Sequence, residues 1–393
     1  MAHVHGRRTD ASGASVVAVG GLVALAVAMG VGRFAFTPIM PVMEADAGLT
    51  LRAASWLAAA NYLGYLLGAL CAARLPTAWG IRGGLLLVAV TTFAMGLTHG
   101  LWLQLFLRLV AGVASAWVLV HVSAWSLARL GAIGRTDMNG VVYAGVGAGI
   151  AAAGLIVLGT MHAGLGSDAT WELFGVLSLL VTAGSWRLFR PSPQVPAETA
   201  HTPIRVIRWD GDKLRLLLCY AVLGIGYILP ATYLPDMAHA YVDNPLVFGL
   251  AWPVFGTAAA LSTWIAARWL GHVNDRKLWA LCYVCMAVGD GLPVLWPGLP
   301  AILVAAVAVG GTFMIVTMQG LREARRTGGG GATAFIALMT AAFALGQIVG
   351  PLVVGALESV PHGFAACLIG AAVLLLLAAR SLWRSTARAT GSG

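Results

Sequence analysis

Apolar residues run through this chain in blocks of about twenty, broken at regular intervals by short polar or Gly/Pro clusters. A block of about that length crosses a bilayer as a helix. Taken between their charged or Gly/Pro boundaries, the blocks predict helices over 15–42, 52–73, 83–98, 101–128, 139–160 and 169–187. A second set follows over 214–236, 246–269, 278–294, 296–320, 332–357 and 363–383. Between the sets, the polar, Pro-rich segment from Arg190 to Pro203 has too little apolar surface to fold alone. The expected organisation is a six-helix half over 1–189, a linker over 190–212 and a second half over 213–393, with no appended domain at either end.

The halves look like diverged copies. At an offset of 194, Gly30, Gly32, Pro41 and Met43 match Gly224, Gly226, Pro235 and Met237, Ala72-Ala73-Arg74 matches Ala266-Ala267-Arg268, and Arg82 matches Arg276. At an offset of 201, Gly145, Gly149 and Gly154 match Gly346, Gly350 and Gly355. The first apolar block recurs as the seventh, so it reads as a span and not as a cleaved leader. Two halves related by a parallel repeat, with a site near the midplane between them, predict an all-α polytopic membrane protein of twelve transmembrane helices.

Composition agrees. Only 10% of residues are charged and 59% hydrophobic, against about 25% charged in an average soluble domain. The formal charge of +9 raises nucleic acid as a partner, but its placement removes that reading. With the N-terminus inside, all but three (Arg33, Arg52, Arg108) of the 24 Lys and Arg fall on the cytoplasmic side. The outer loops and rims carry Glu44, Asp46, Asp168, Glu172, Asp236, Asp243 and Glu358. This is the positive-inside pattern. It places the chain in a bacterial inner membrane with both termini cytoplasmic. All five cysteines lie in apolar runs, and Cys282-x-x-Cys285 lacks a second ligand pair at zinc spacing, so no metal site is expected. Gly328-Gly-Gly-Gly331 lacks the Lys-Ser/Thr of a phosphate loop, which argues against ATP-driven transport. No catalytic constellation stands out, so neither an enzyme nor a cofactor is expected.

Three signatures resemble the major facilitator superfamily. Gly271-His-Val-Asn-Asp275-Arg276 is similar to its G-x-x-x-D-R loop, in which an acid and a base latch neighbouring helices. The first-half copy has Ile81 in place of the acid and keeps Arg82. Arg108-Leu-Val-Ala-Gly112 resembles the R-x-x-x-G element, and the glycine series of helices 5 and 11, including Pro351, resembles the antiporter-type motif with Ile150 in place of its proline and Ala153 in place of a glycine. The strings Gly30-Val-Gly-Arg-Phe-Ala-Phe-Thr-Pro-Ile-Met-Pro41 and Asn61-Tyr-Leu-Gly-Tyr-Leu-Leu-Gly-Ala-Leu70 resemble the YbfB/YjiJ-type branch. The resemblance implies the major facilitator fold and secondary transport, and names no substrate.

The candidate substrate-binding residues are Arg33, Asn61, Arg108, Tyr227 and Gln347. An arginine amid a spanning helix costs about 2.5–3.5 kcal/mol on insertion scales, so Arg33 needs an anionic ligand, an acid such as Glu44, Asp46 or Glu172, or a path by which its head snorkels to the outer rim. Arg108 lies seven residues inside helix 4 and reads either as a site arginine or as a rim residue. Asn61 and Gln347 sit mid-helix, as ligand contacts or as interhelical glue. Tyr227 is the repeat counterpart of Arg33. Gating is assigned to Gly145, Gly149, Gly154, Gly271, Asp275, Arg276, Gly346, Gly350 and Pro351. Asp290 falls in Gly289-Asp-Gly-Leu-Pro293, which reads as a helix ending, and His121 reads as a packing residue. The function expected is a monomeric secondary transporter of a small organic anion in the lipid bilayer, with a coupling ion such as H+ left open. The alternatives are an exporter of amphipathic or drug-like compounds and a non-transporting sensor.

Overall fold

The structure, a computed structural model, describes residues 2–190, 207–239, 245–357 and 360–390, without the side chains of 2–12, 51, 233–239, 245–249, 251 and 387–390. Most of the linker, with Arg205, and Asp243 and Glu358 lie outside the described residues. The same holds for the side chains of Arg7, Arg8, Asp236 and Arg388.

The described residues form twelve helical rods and no strand. The first, α1, covers 2–46 in three parts: an α-helix Ala2–Leu25, a π-helical stretch Ala26–Phe34 and a second α-helix Phe36–Asp46. Then follow α2 Leu51–Ala72, α3 Thr77–Gly96, α4 Leu101–Ala132, α5 Asn139–His162 and α6 Ser167–Ser185. The second half holds α7 Gly211–His239, α8 Pro245–Trp269, α9 Asp275–Leu295, α10 Leu299–Gly328, α11 Ala332–Leu357 and α12 Gly363–Thr390. Nine stretches of the described residues are long and apolar enough to cross a membrane, one of them holding both α10 and α11. The apolar blocks therefore locate every rod, and the ends differ. Helix α10 extends eight residues beyond the apolar run to Gly328, because Arg325 and Arg326 in its last turn suit the negative end of the helix dipole. Helices α1, α4 and α5 end on left-handed glycines, Gly48, Gly134 and Gly164, each followed by a residue whose N–H returns to a carbonyl of the last turn.

The Gly289–Pro293 segment forms the last turns of α9, which ends at Leu295, one residue past the expected end at 294. Pro293 has no N–H to return to the Gly289 carbonyl four residues back, which loosens the helix where it ends.

Glycines let rods meet at backbone distance. A Cβ on Gly30 of α1 would overlap the main chain of Gly149 on α5, and one on Gly145 would overlap that of Leu22. In the second half Gly224 of α7 meets Gly346 of α11 in the same way, while Gly350 lies under Ile228. The repeat thus reproduces the contact between first and fifth rods. The opposite face of α5 carries a second small-residue seam, made by Gly140, Gly147 and Gly154 against Thr263, Ala267, Gly256 and Pro253 of α8. Of the α5 glycines assigned to gating, only Gly154 faces the other half.

Candidate functional site

The site begins with the π stretch of α1. Its wider turns, together with Pro38, which has no N–H to close an α-turn on Phe34, loosen the carbonyls of this segment from ordinary helical bonding. Neighbouring side chains take them up. Ser115 Oγ on α4 donates to the Ala28 carbonyl at 2.7 Å. Arg108 Nη1 and Nη2 donate to the Gly32 and Arg33 carbonyls, both at 3.3 Å. Asn61 Nδ2 on α2 reaches the Gly32 and Arg108 carbonyls at 3.3 and 3.0 Å. Arg108 is therefore no rim residue; it is 3% exposed and braces α1. Gly32 is required here because a Cβ would stand 2.6 Å from Ser115 Oγ.

So braced, α1 holds Arg33 across the interface between halves. Its Nη2 donates to Gln347 Oε1 of α11 at 2.6 Å, and its guanidinium lies over the Tyr65 ring at 3.8 Å. Both Arg33 and Gln347 are buried. The acids considered as partners are not used: Asp46 takes the N–H and hydroxyl of Ser167, and neither Arg33 nor Arg108 joins an ion pair among the described residues. Several polar atoms around the pair meet no hydrogen-bond partner: Arg33 Nε and Nη1, Arg108 Nε, Asn61 Oδ1, Tyr65 Oη and Gln347 Nε2. Buried polar groups are ordinarily satisfied, so this cluster has bonding capacity to spare, most of it donor.

Phe34, beside Arg33, faces an aromatic wall from the second half. Its ring meets Tyr227 edge-on at 6.3 Å and Trp252 at 6.5 Å. Tyr227 stacks on Phe313 at 4.7 Å, and Phe255 stacks on both Phe313 and Trp252. All five candidate residues are thus gathered at one level, four around the charge and Tyr227 on the aromatic side. The sequence reading missed Tyr65, Ser115, Phe34 and Trp252. Tyr65 had a signal, since it stands one helical turn from Asn61 on the same face.

The profile of the family described as "Uncharacterised MFS-type transporter YbfB" matches residues 25–382. The chain belongs to this family of major facilitator transporters. A "Chloramphenicol resistance protein" from Streptomyces lividans is 27% identical over 354 residues, 84% of this chain and 87% of that one. The crystal structure of the human organic anion transporter MFSD10 (TETRAN) superposes with a TM-score of 0.70 at 16% identity, over 95% of this chain and 99% of the other. The protein is accordingly a membrane-embedded, multi-pass transporter of a small molecule, not an enzyme.

In this transporter the second-half loop signature is an ionic network. Asn274 caps α9 by accepting from the N–H groups of Arg276 and Lys277, which aims the next two side chains inward. Arg276 bonds Asp212 of α7 at 2.6 and 2.7 Å, Glu323 of α10 at 2.7 Å and Ser385 of α12 at 3.2 Å. Asp275 reaches Arg322 of α10 at 3.3 Å. Gly271 sits in the loop, 3.2 Å by its Cβ direction from the Ala267 carbonyl. In the first half, where Ile81 replaces the acid, Arg82 turns to the Trp186 carbonyl at the end of α6. The two arginines thus differ in what they hold. Arg276→Ala removes the buried one of the two cations on Glu323, whose side chain is 2% exposed, leaving it only the largely exposed Arg326 at 2.8 Å, and breaking a buried pair costs about 3–5 kcal/mol. Its melting temperature and its yield of monodisperse protein should fall far more than those of Asp275→Asn or Arg82→Ala, and equal losses would refute the ranking.

His121 packs as expected, its Nε2–H donating to the Ala72 carbonyl at 3.0 Å beneath Gly80. Asp290 is 1% exposed, and neither carboxylate oxygen finds a partner.

Proposed function

We propose that this transporter carries a small organic anion by alternating access, the halves 1–189 and 213–393 rocking about Arg33 on either side of the linker 190–212. The carrying observation is the uncompensated charge: two buried arginines, Arg33 reaching across the interface and Arg108 beside it in the first half, join no ion pair among the described residues, and unused donors surround them. In such a low-dielectric site an anion is attracted far more strongly than in water. The Arg33 fork suits a carboxylate or phosphate, while the wall of Tyr227, Phe313 and Trp252 suits an apolar or aromatic body. In this reading Arg33 and Gln347 bind the head group, Arg108 adds its charge beside them while its Nη groups hold α1, Asn61 offers its free Oδ1, and Tyr227 binds the body. Asp275, Arg276, Gly271, Pro351 and, on the α5 face that meets the other half, Gly154 serve the conformational change, while Gly145, Gly149, Gly346 and Gly350 hold the first and fifth rods of each half together. A thermal-shift screen of the purified protein against organic anions, amino acids, sugars and hydrophobic cations tests it, because a ligand of the native state raises the melting temperature. Uptake of the hit into proteoliposomes then establishes transport. A preference for cations or neutral solutes would overturn the proposal. The aromatic wall and the relative named for chloramphenicol resistance favour a second reading, export of amphipathic compounds.

The charge pattern supports a bacterial inner-membrane location with the termini and linker in the cytoplasm. Cysteines introduced singly between Arg190 and Lys213 should be labelled by an impermeant reagent only from the cytoplasmic side; labelling from outside would invert the topology.

A further inference from the structure

We propose a binding site for the head group of an anionic phospholipid between α7 and α12, on the face that carries Arg276. A cavity of about 380 Å³ opens there, lined by Arg215, Arg380, Arg384, Ser381, Ser385 and Leu377. Three guanidiniums converge on it. Arg380 and Arg384 are one helical turn apart on the same face of α12, an arrangement in which like charges repel, and neither joins an ion pair among the described residues. Arg215 has Asp212 at 2.9 Å, but that carboxylate also receives both Nη atoms of Arg276, so its charge is largely taken. The cluster therefore lacks a counter-anion, and a phosphate with several acceptor oxygens supplies one.

The apolar surroundings select a lipid over a soluble anion. Leu377 closes the bilayer side of the cavity and is 58% exposed. From it an exposed stripe of Leu374 and Val373 continues along α12, with Leu214 and Leu218 exposed on α7 alongside. Trp383 stands exposed beside Arg384, with the Lys277 ammonium 5.8 Å from its ring centroid, as an interfacial anchor would. A phosphate on the arginines thus lays an acyl chain along the leucines. Basic pockets between spanning helices on the cytoplasmic side hold anionic head groups in this manner. The site is separate from Arg33, so it stands whether or not the substrate is an anion. Through Ser385 it touches the Arg276 network.

Titration of the full-length protein in detergent with phosphatidylglycerol or phosphatidylcholine, read by native mass spectrometry and thermal shift, tests the site. The wild type should favour phosphatidylglycerol at least about tenfold. Arg380→Gln/Arg384→Gln and, separately, Ser381→Glu should abolish the preference. The control Arg187→Gln/Arg190→Gln removes the same charge elsewhere on that face and should keep it. An undiminished preference in both test variants, or its equal loss in the control, would overturn the proposal. So would protection by millimolar inorganic phosphate equal to that by phosphatidylglycerol, which would mark a soluble-anion site.

Discussion

Arg33→Gln will weaken binding of the anionic substrate roughly 10- to 150-fold, the equivalent of a hydrogen bond to a charged group at about 1.5–3 kcal/mol. The protein will still insert and fold, because the Arg33 side chain bonds Gln347 and rests on aromatic rings, chiefly Tyr65, whereas the bracing of α1 runs through the Gly32 and Arg33 carbonyls, which the substitution leaves in place. Arg33→Lys keeps the charge and loses the planar fork, so its affinity should fall between the two. Gln347→Leu removes the partner across the interface while leaving both cations, and should cost less than Arg33→Gln. Arg108 offers the contrast. Its Nη groups are spent on α1, so Arg108→Gln should lower the melting temperature before it lowers affinity in whatever protein folds. Calorimetry or fluorescence titration with the ligand found by thermal shift reads all four variants. Equal affinity of wild type and Arg33→Gln, in protein of equal thermal stability, would remove Arg33 from the site and shift weight to amphipathic export.

Arg33 was legible in the sequence because a cation in an apolar block violates the local rule for spanning helices. Its partner was not. Gln347 lies 314 residues away, on the other half, and nothing local to either residue records how the halves meet. The rods themselves were legible from block length alone, since the bilayer fixes the length and the repeat supplied a second copy as a check. Their ends were less so: α10 runs to Gly328, eight residues past its apolar block, because its last two turns are polar and carry no hydropathy signal. The π stretch had no composition of its own beyond Gly30-Val31-Gly32, and its register follows from the carbonyls that Ser115, Asn61 and Arg108 take up. The glycine series shows a third kind of limit. Spacing placed Gly145 and Gly149 on one face of α5 but not which rod lay opposite, and the face that meets the other half is a different one, carried by Gly147 and Gly154.

That distinction gives the other large expected effect. Gly147 packs on the main chain of Gly256 and Ala260 across the two halves, while Gly64 packs on the main chain of Leu109 within the first half. A leucine at either position meets backbone, which cannot swing aside as a side chain can, and overpacking costs about 1–3 kcal/mol or more. What differs is the escape. In Gly64→Leu the strain falls inside a six-helix unit, so the fold bears it, with a lower melting temperature and aggregated protein. In Gly147→Leu the halves separate at α5 and α8, and the conformation with the seam apart relieves the clash. A bias of about 1–3 kcal/mol moves such an equilibrium roughly 5- to 150-fold. Gly147→Leu should therefore purify as folded protein, transport far less, and expose the interface. Alkylation of a Gln347→Cys reporter by an impermeant maleimide should be faster in its presence, with Gly256→Leu giving the same result from the other side of the seam. If Gly147→Leu unfolds as Gly64→Leu does, or folds with unchanged alkylation, then α5 and α8 form a fixed joint and the halves move elsewhere.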